Sequence, residues 1–185
     1  MPTKKEKALA WALTVKTQIG VVGDQVLNKM QGGAGGLSRE FYQLLKAIGE
    51  AKSKQEEELI IRREAALLKK HFASGAKKEK IKEYVLRLLY CEMLGYEVEF
   101  GYVHALTLTQ SSNLLEKKVG YLAVASFLHK DHPLMIMVVN SFRRDLESDN
   151  YLIVCAALIT MGKLLTVETI PTVVSIVIKL LNHKK

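Results

Sequence analysis

What most constrains this chain is a spacing. From Lys77 onward, apolar residues recur with helical periodicity in three successive pairs of segments, 77–110, 114–147 and 150–182. Each pair is about 35 residues long, the period of helical-repeat arrays. A single helical pair cannot bury its own apolar side, so such pairs stack and share one continuous core. The predicted fold is therefore all-α, a right-handed α-solenoid of HEAT/armadillo-like helical hairpins. A compact bundle of the same helices is the alternative. No stretch of useful length alternates with the two-residue period of a strand.

The local signals agree. Leu44, Leu45 and Ile48 mark a short amphipathic helix ending near Gly49, and a charged helix with Leu59, Ile60, Ala66, Leu67 and Phe72 stops at Ser74-Gly75. The next runs from Lys77 to Gly95, and another covers roughly 100–109. Asn113 is the expected N-cap of the helix carrying Val119, Leu122 and Phe127. Pro133 and Pro171 are expected in the first turns of their helices, where a missing N–H is harmless. Asp149-Asn150 separates helices at 135–146 and 151–164, and Thr169–Leu181 closes the series. That last segment is apolar on nearly every face, the pattern of a helix buried between neighbours. Its expected fate is a bare face, covered by further repeats or by a partner.

Residues 1–36 read as a loosely amphipathic leader followed by the flexible linker Gly32-Gly33-Ala34-Gly35-Gly36, and 37–185 as the folded trunk. The glycine cluster lacks the following Gly-Lys-Ser/Thr and the preceding strand that a phosphate loop needs. Met1 to Val22 shows no compact apolar run with a cleavage site, and its four lysines without arginine make a poor transit peptide. No run approaches the ~18 apolar residues of a spanning helix. Membrane contact is therefore expected to be peripheral.

No catalytic, cofactor or metal site is expected. Of the histidines at 71, 104, 129, 132 and 183, only His129 and His132 are close, and they lack further ligands at workable spacing. A solvated or capping role suits them better. Cys91 and Cys155 lie far apart in apolar helical contexts and read as reduced, buried thiols of a cytosolic protein. The Glu56-Glu57-Glu58 run reads as the acidic start of a helix.

Basic residues outnumber acidic ones, 27 to 19, for a net charge of +8. Lys77, Lys78, Lys80 and Lys82 cluster at a helix start beside Tyr84, preceded by Lys69 and Lys70. Such a cluster is either a solvated face or a contact for anionic lipid head groups. Glu79 and Glu83 dilute it. With Tyr84 as its sole adjacent aromatic and no recognised motif, nucleic-acid binding is not expected.

The strings YCEMLGY at 90–96, FGYVHA at 100–105 and NLLEKKVGYLAV at 113–124, with Asp145-Leu146 and Asn150 beyond, resemble the large-subunit trunk of the adaptin family. Together with GEAKSKQEEE at 49–58 they look most like the branch belonging to the fourth heterotetrameric adaptor-protein complex. The resemblance covers roughly 37–185 and none of the leader. It implies a scaffold of a vesicle coat, cytoplasmic and peripheral on trans-Golgi network membrane. Its implied partners are a small, a medium and a second large subunit and an Arf-type GTPase, with no cofactor. In a related large subunit a lysine run just before the position of Tyr84 binds phosphoinositide. Here those positions read Ile81, Lys82 and Glu83, leaving Lys77, Lys78 and Lys80 to compensate. The chain is also far shorter than such subunits. On physical grounds Gly95 is read as a helix stop, Gly101 and Gly120 as sites of close helix approach, and Tyr96, Tyr102 and Tyr121 as buried rings with hydroxyls reaching polar partners.

Overall fold

The structure, a computed structural model, describes residues 38–182; the leader, the glycine linker and His183 lie outside the described residues. Among these residues every regular element is helical. The chain divides into two compact units, Met1–Val98 and Glu99–Lys185, a division that falls inside the first predicted helical pair.

In the first unit, α1 (Arg39–Glu50) buries Phe41, Leu44 and Ile48, an i, i+3, i+7 stripe, and starts at Ser38, whose hydroxyl accepts from Phe41 N at 3.1 Å. Helix α2 (Lys54–Ala73) is capped by Ser53, while the Glu56 carboxylate takes the Lys52 N–H at 2.8 Å. The acidic run thus sits at the positive end of the helix dipole, as expected. Gly75, at φ +80°, follows its C-terminal cap Ser74.

Helix α3 (Lys78–Met93) ends in a Schellman arrangement: Tyr96 N donates to Cys91 O at 3.2 Å and Gly95 N to Glu92 O at 2.8 Å. That turn needs a left-handed residue, and Gly95 supplies φ +90°. The glycine of the 90–96 string is therefore a backbone requirement.

Charge ties this unit together beneath its surface. Arg87 on α3 is 4% exposed; its Nε donates to Glu64 on α2 at 2.6 Å, and Nη1 reaches Glu83 at 3.4 Å. Glu83 also accepts from the Ser38 hydroxyl, so one carboxylate links the start of α1 to α3. Buried charges persist only when paired in this way.

The second unit contains a 3-10 turn (Glu99–Gly101), then α4 (Tyr102–Thr109), α5 (Leu114–Phe127), α6 (Met135–Leu146), α7 (Tyr151–Leu164), a second 3-10 turn (Ile170–Thr172) and α8 (Val174–Leu181). Asn113 and Asn150 cap α5 and α7 through their side chains. Helices alternate between two layers. Across the layers α4 packs on α5 and α6 on α7; within them α4 meets α6, α5 meets α7 and α6 meets α8. This i to i+2 stacking is the local grammar of an α-solenoid.

Three expectations need correction. The tightest packing joins α4 to α5, across the boundary between predicted pairs, because Gly120 lets the two backbones nearly touch. Pro133 lies ahead of α6: His132 N bonds to His129 O and Met135 N to His132 O, closing a turn before the helix begins. Pro171 falls in a 3-10 turn separate from α8. Of the apolar C-terminal segment, Val173 is buried but no residue of Val174–Leu181 is. Its outward residues Ile170, Val174, Ile178 and Leu181 form the bare face expected of it.

The two cysteines are free but differ, correcting the expectation that both are buried: Cys91 is buried and Cys155 exposed. Burial, with Glu64 next in weight, pushes the Cys91 thiol up to about 12; burial, with Glu57 next, pushes the Tyr90 phenol up to about 12. Both groups are neutral when protonated, so the fold favours their protonated forms. Their contribution is complete below the unfolded thiol value near 9 and is lost as pH rises toward 12. Urea midpoints are expected to fall steadily between pH 8.5 and 11.5, and a flat profile would contradict this burial. Iodoacetamide at pH 8 is expected to alkylate Cys155 rapidly and Cys91 only on unfolding; equal rates would refute the assignment.

Candidate functional site

The predicted lipid contact lies at the start of α3. Lys77 occupies the N-cap position, Lys78 and Lys80 are exposed, and Lys82 is half-buried. Lys80 is drawn back toward Glu83, at 3.5 Å. Lysines oppose the positive end of the helix dipole, so this helix start gains no stability from them and concentrates positive potential instead. Tyr84 is less available than its neighbours: it stacks on His71 at 5.2 Å, meets Phe72 edge-on at 5.7 Å and lies under the Arg87 guanidinium at 5.9 Å. Its ring therefore holds α2 to α3. The four lysines share one short turn and a half.

The structure also builds a site that residue types alone did not reveal, at the junction of α4, α5 and α6. Lys117 on α5 is 4% exposed and Asp145 on α6 is 3% exposed. Lys117 Nζ donates to both Asp145 oxygens, at 2.9 and 2.7 Å, and to Thr109 O at 2.8 Å. Thr109 ends α4, and its carbonyl is one of the four that a helix C-terminus leaves without an internal partner. The lysine thus neutralises a carboxylate and caps a neighbouring helix at its negative end. Tyr121, one turn along α5, donates its hydroxyl to Asp145 Oδ2 at 2.6 Å and stacks on Phe142 at 5.6 Å. Burial, then the bond to Asp145, raises its phenol well above the ordinary value. Arg144 Nε completes the set, 3.2 Å from Asp145 Oδ1.

Gly120 sits beside these residues. A Cβ there would lie 2.5 Å from Thr109 N and 2.7 Å from the Leu108 carbonyl carbon. The glycine brings α5 close enough for Lys117 to reach Thr109 O.

Lys117 and Asp145 stand in the strings quoted above, but nothing in sequence links residues 28 positions apart. One signal was present. Each lies on the apolar stripe of its helix, Lys117 in step with Tyr121 and Val124, Asp145 with Val138 and Phe142. Two opposite charges on core-facing positions of successive helices mark a buried pair.

The remaining candidates are placed simply. His132 Nδ1 accepts from Leu134 N at 3.1 Å, the capping role expected of the pair, and its ring lies 5.5 Å from that of His129. Burial lowers the His104 imidazole. Tyr102 stacks on Phe127 at 5.2 Å. Among the described residues no three His, Cys, Asp or Glu side chains gather as metal ligands, and no helix is long and apolar enough to cross a membrane.

Comparison with known proteins adds the family context. Residues 57–185 match the family described as Adaptin N terminal region. Over 169 residues the chain is 48% identical to the AP-4 complex subunit epsilon of Arabidopsis thaliana, covering 91% of this chain and 18% of that protein. It is 45% identical over 161 residues to AP-4 complex subunit epsilon of Dictyostelium discoideum, covering 87% and 15%. It is 40% identical over 175 residues to AP-4 complex subunit epsilon-1 of Homo sapiens, covering 92% and 15%. The chain thus spans less than a fifth of each relative's length.

Proposed function

The chain belongs to the adaptin N-terminal family, and on that premise we propose that it is a non-enzymatic scaffold segment of a heterotetrameric adaptor coat. One observation carries this reading. The side chains of the shared strings are spent on capping and packing: Gly95 turns the chain, Gly120 admits a neighbouring backbone, and Lys117, Tyr121 and Asp145 lock three helices. Side chains used that way fix the arrangement of neighbouring helices, which suits a scaffold that holds other proteins.

In this proposal 37–185 is part of a right-handed α-solenoid trunk and 1–36 its leader. The trunk holds the small subunit and, within the full assembly, a medium and a second large subunit. An Arf-type GTPase brings the coat to trans-Golgi network membrane, where the protein acts from the cytoplasmic side in vesicle-mediated cargo transport. The AP-4 names of the relatives support the choice of complex. Co-expression with the small subunit of that complex is expected to give a stoichiometric complex on size exclusion. A folded chain that ignores this subunit and its counterparts from sister complexes would overturn the scaffold reading.

A second reading rests on the exposed Lys77, Lys78 and Lys80 at the start of α3. In it the chain is a stand-alone peripheral module binding anionic lipid or nucleic acid through Lys77, Lys78, Lys80 and Lys82, beside Tyr84. Each lysine would contribute about 1 kcal/mol at an anionic surface. Changing all four to glutamate then abolishes binding to phosphatidylserine vesicles, a binding that also falls with salt. Under the scaffold reading the same variant keeps its small subunit. The two measurements on one variant separate the readings.

A further inference from the structure

Helix α2 has two organised faces. The inner one buries Glu57, Ile61 and Leu68. The outer one places Leu59, Arg63, Leu67 and Lys70 at i, i+4, i+8 and i+11, a single stripe about 16 Å long. Leu59 and Leu67 are 49% and 45% exposed, and Arg63 and Lys70 are exposed between and beyond them. Arg62, at the stripe's edge, is engaged by Glu58 at 2.5 Å. No described carboxylate pairs with Arg63, Lys69 or Lys70. Isolated exposed leucines are ordinary, but two in register with unpaired cations on a helix already amphipathic on its other side form an organised second face.

We propose that the outer stripe of α2 docks an acidic amphipathic helix of a partner protein, whose apolar residues cover Leu59 and Leu67 while its carboxylates pair with Arg63 and Lys70. Charge complementarity selects this occupant. The alternation of leucine and cation along the stripe matches a helix carrying leucines and carboxylates at the same i, i+4 spacing. Glu56, exposed on the same side as Leu59, sets the polarity of the pairing by keeping the partner's carboxylates toward Arg63 and Lys70. The inference rests on the scaffold reading only in requiring a protein assembly, and it concerns a surface separate from the Lys117–Asp145 junction.

The test uses the full chain, tagged and purified from its own cells, with a benzophenone amino acid in place of Leu67. After irradiation the crosslinked peptide is sequenced. The expected product is a segment of another protein with helical periodicity and net negative charge. Arg63→Glu with Lys70→Glu is expected to lower its yield about tenfold, as two surface ion pairs within their usual range would. Exchanging two carboxylates of that segment for lysine should restore the yield. Crosslinking to lipid, to a basic or non-helical segment, or to nothing overturns the proposal. If size exclusion shows the chain still assembled with other subunits, that failure strikes this inference alone. A chain found unassembled strikes the scaffold reading as well.

Discussion

Replacing Gly120 by alanine is expected to destabilise the protein, although alanine is the better helix former. In an unobstructed helix interior that exchange gains about 1 kcal/mol. Here the added carbon would stand 2.5 Å from Thr109 N and 2.7 Å from the Leu108 carbonyl carbon, both backbone atoms of α4 that no rotamer change can move. Relief requires α5 to withdraw, which loosens the packing on α4 and lengthens the reach of Lys117 to Thr109 O. Overpacking of this kind costs about 1–3 kcal/mol, and a backbone obstruction puts it at the upper end. A net loss of about 2 kcal/mol is expected from urea unfolding followed by circular dichroism. Gly162 gives the control with the opposite sign. It is exposed within α7, nothing stands within 4 Å of its added carbon, and Gly162→Ala is expected to gain about 0.5–1 kcal/mol. If both alanines stabilise, the close approach at Gly120 is wrong.

That contrast also shows what could be read in advance. Backbone-level features were legible because they are written locally. Asn113 and Asn150 stand where N-caps must, and Gly75 and Gly95 stand where the chain turns left-handed. Gly120 could be named as a place of close approach, yet the helix it approaches could not. The partner is a matter of tertiary pairing: proximity in sequence groups α5 with α6 in 114–147, whereas α5 packs most closely on α4. Pro133 misled for a related reason. Proline fits a first helical turn equally well as the loop before it, and the bonds around His132 decide between them.

Orientation was least legible where composition is uniform. In α7 nearly every residue from Tyr151 to Leu158 is apolar, so no polar face reveals which side looks outward. Cys155 shares an i, i+4, i+8 stripe with Tyr151 and Ile159, which are 72% and 64% exposed, and is exposed with them. The α2 stripe was hidden by the opposite effect. Residue type groups Leu59 and Leu67 with the other apolar residues of the helix, while the core face runs through Ile61 and Leu68. Helical phase, more than residue type, assigns a side.

Lys117→Met is expected to be the most damaging single substitution among those considered. It preserves length and bulk but withdraws three bonds at once, two to Asp145 and one to Thr109 O. Asp145, 3% exposed, would keep Tyr121 and the half-exposed Arg144 as partners and lose its closest cation. Removing one member of a buried pair costs about 3–5 kcal/mol, because the other is left charged and poorly solvated. In a chain of this size that corresponds to a fall in Tm of about 10 °C. Asp145→Leu should be similarly harmful, since it strands the ammonium group with a single carbonyl. The double variant Lys117→Met with Asp145→Leu is the decisive member of the set. It strands no charge of the pair, so its loss should be well below the sum of the single losses and smaller than either. The Thr109 carbonyl, left with only the longer 3.4 Å bond from Arg144 Nη2, would still leave it weaker than the parent protein. Additive single and double effects, or a loss under about 1 kcal/mol for Lys117→Met as at an exposed pair, would show that the junction of α4, α5 and α6 is held by packing alone.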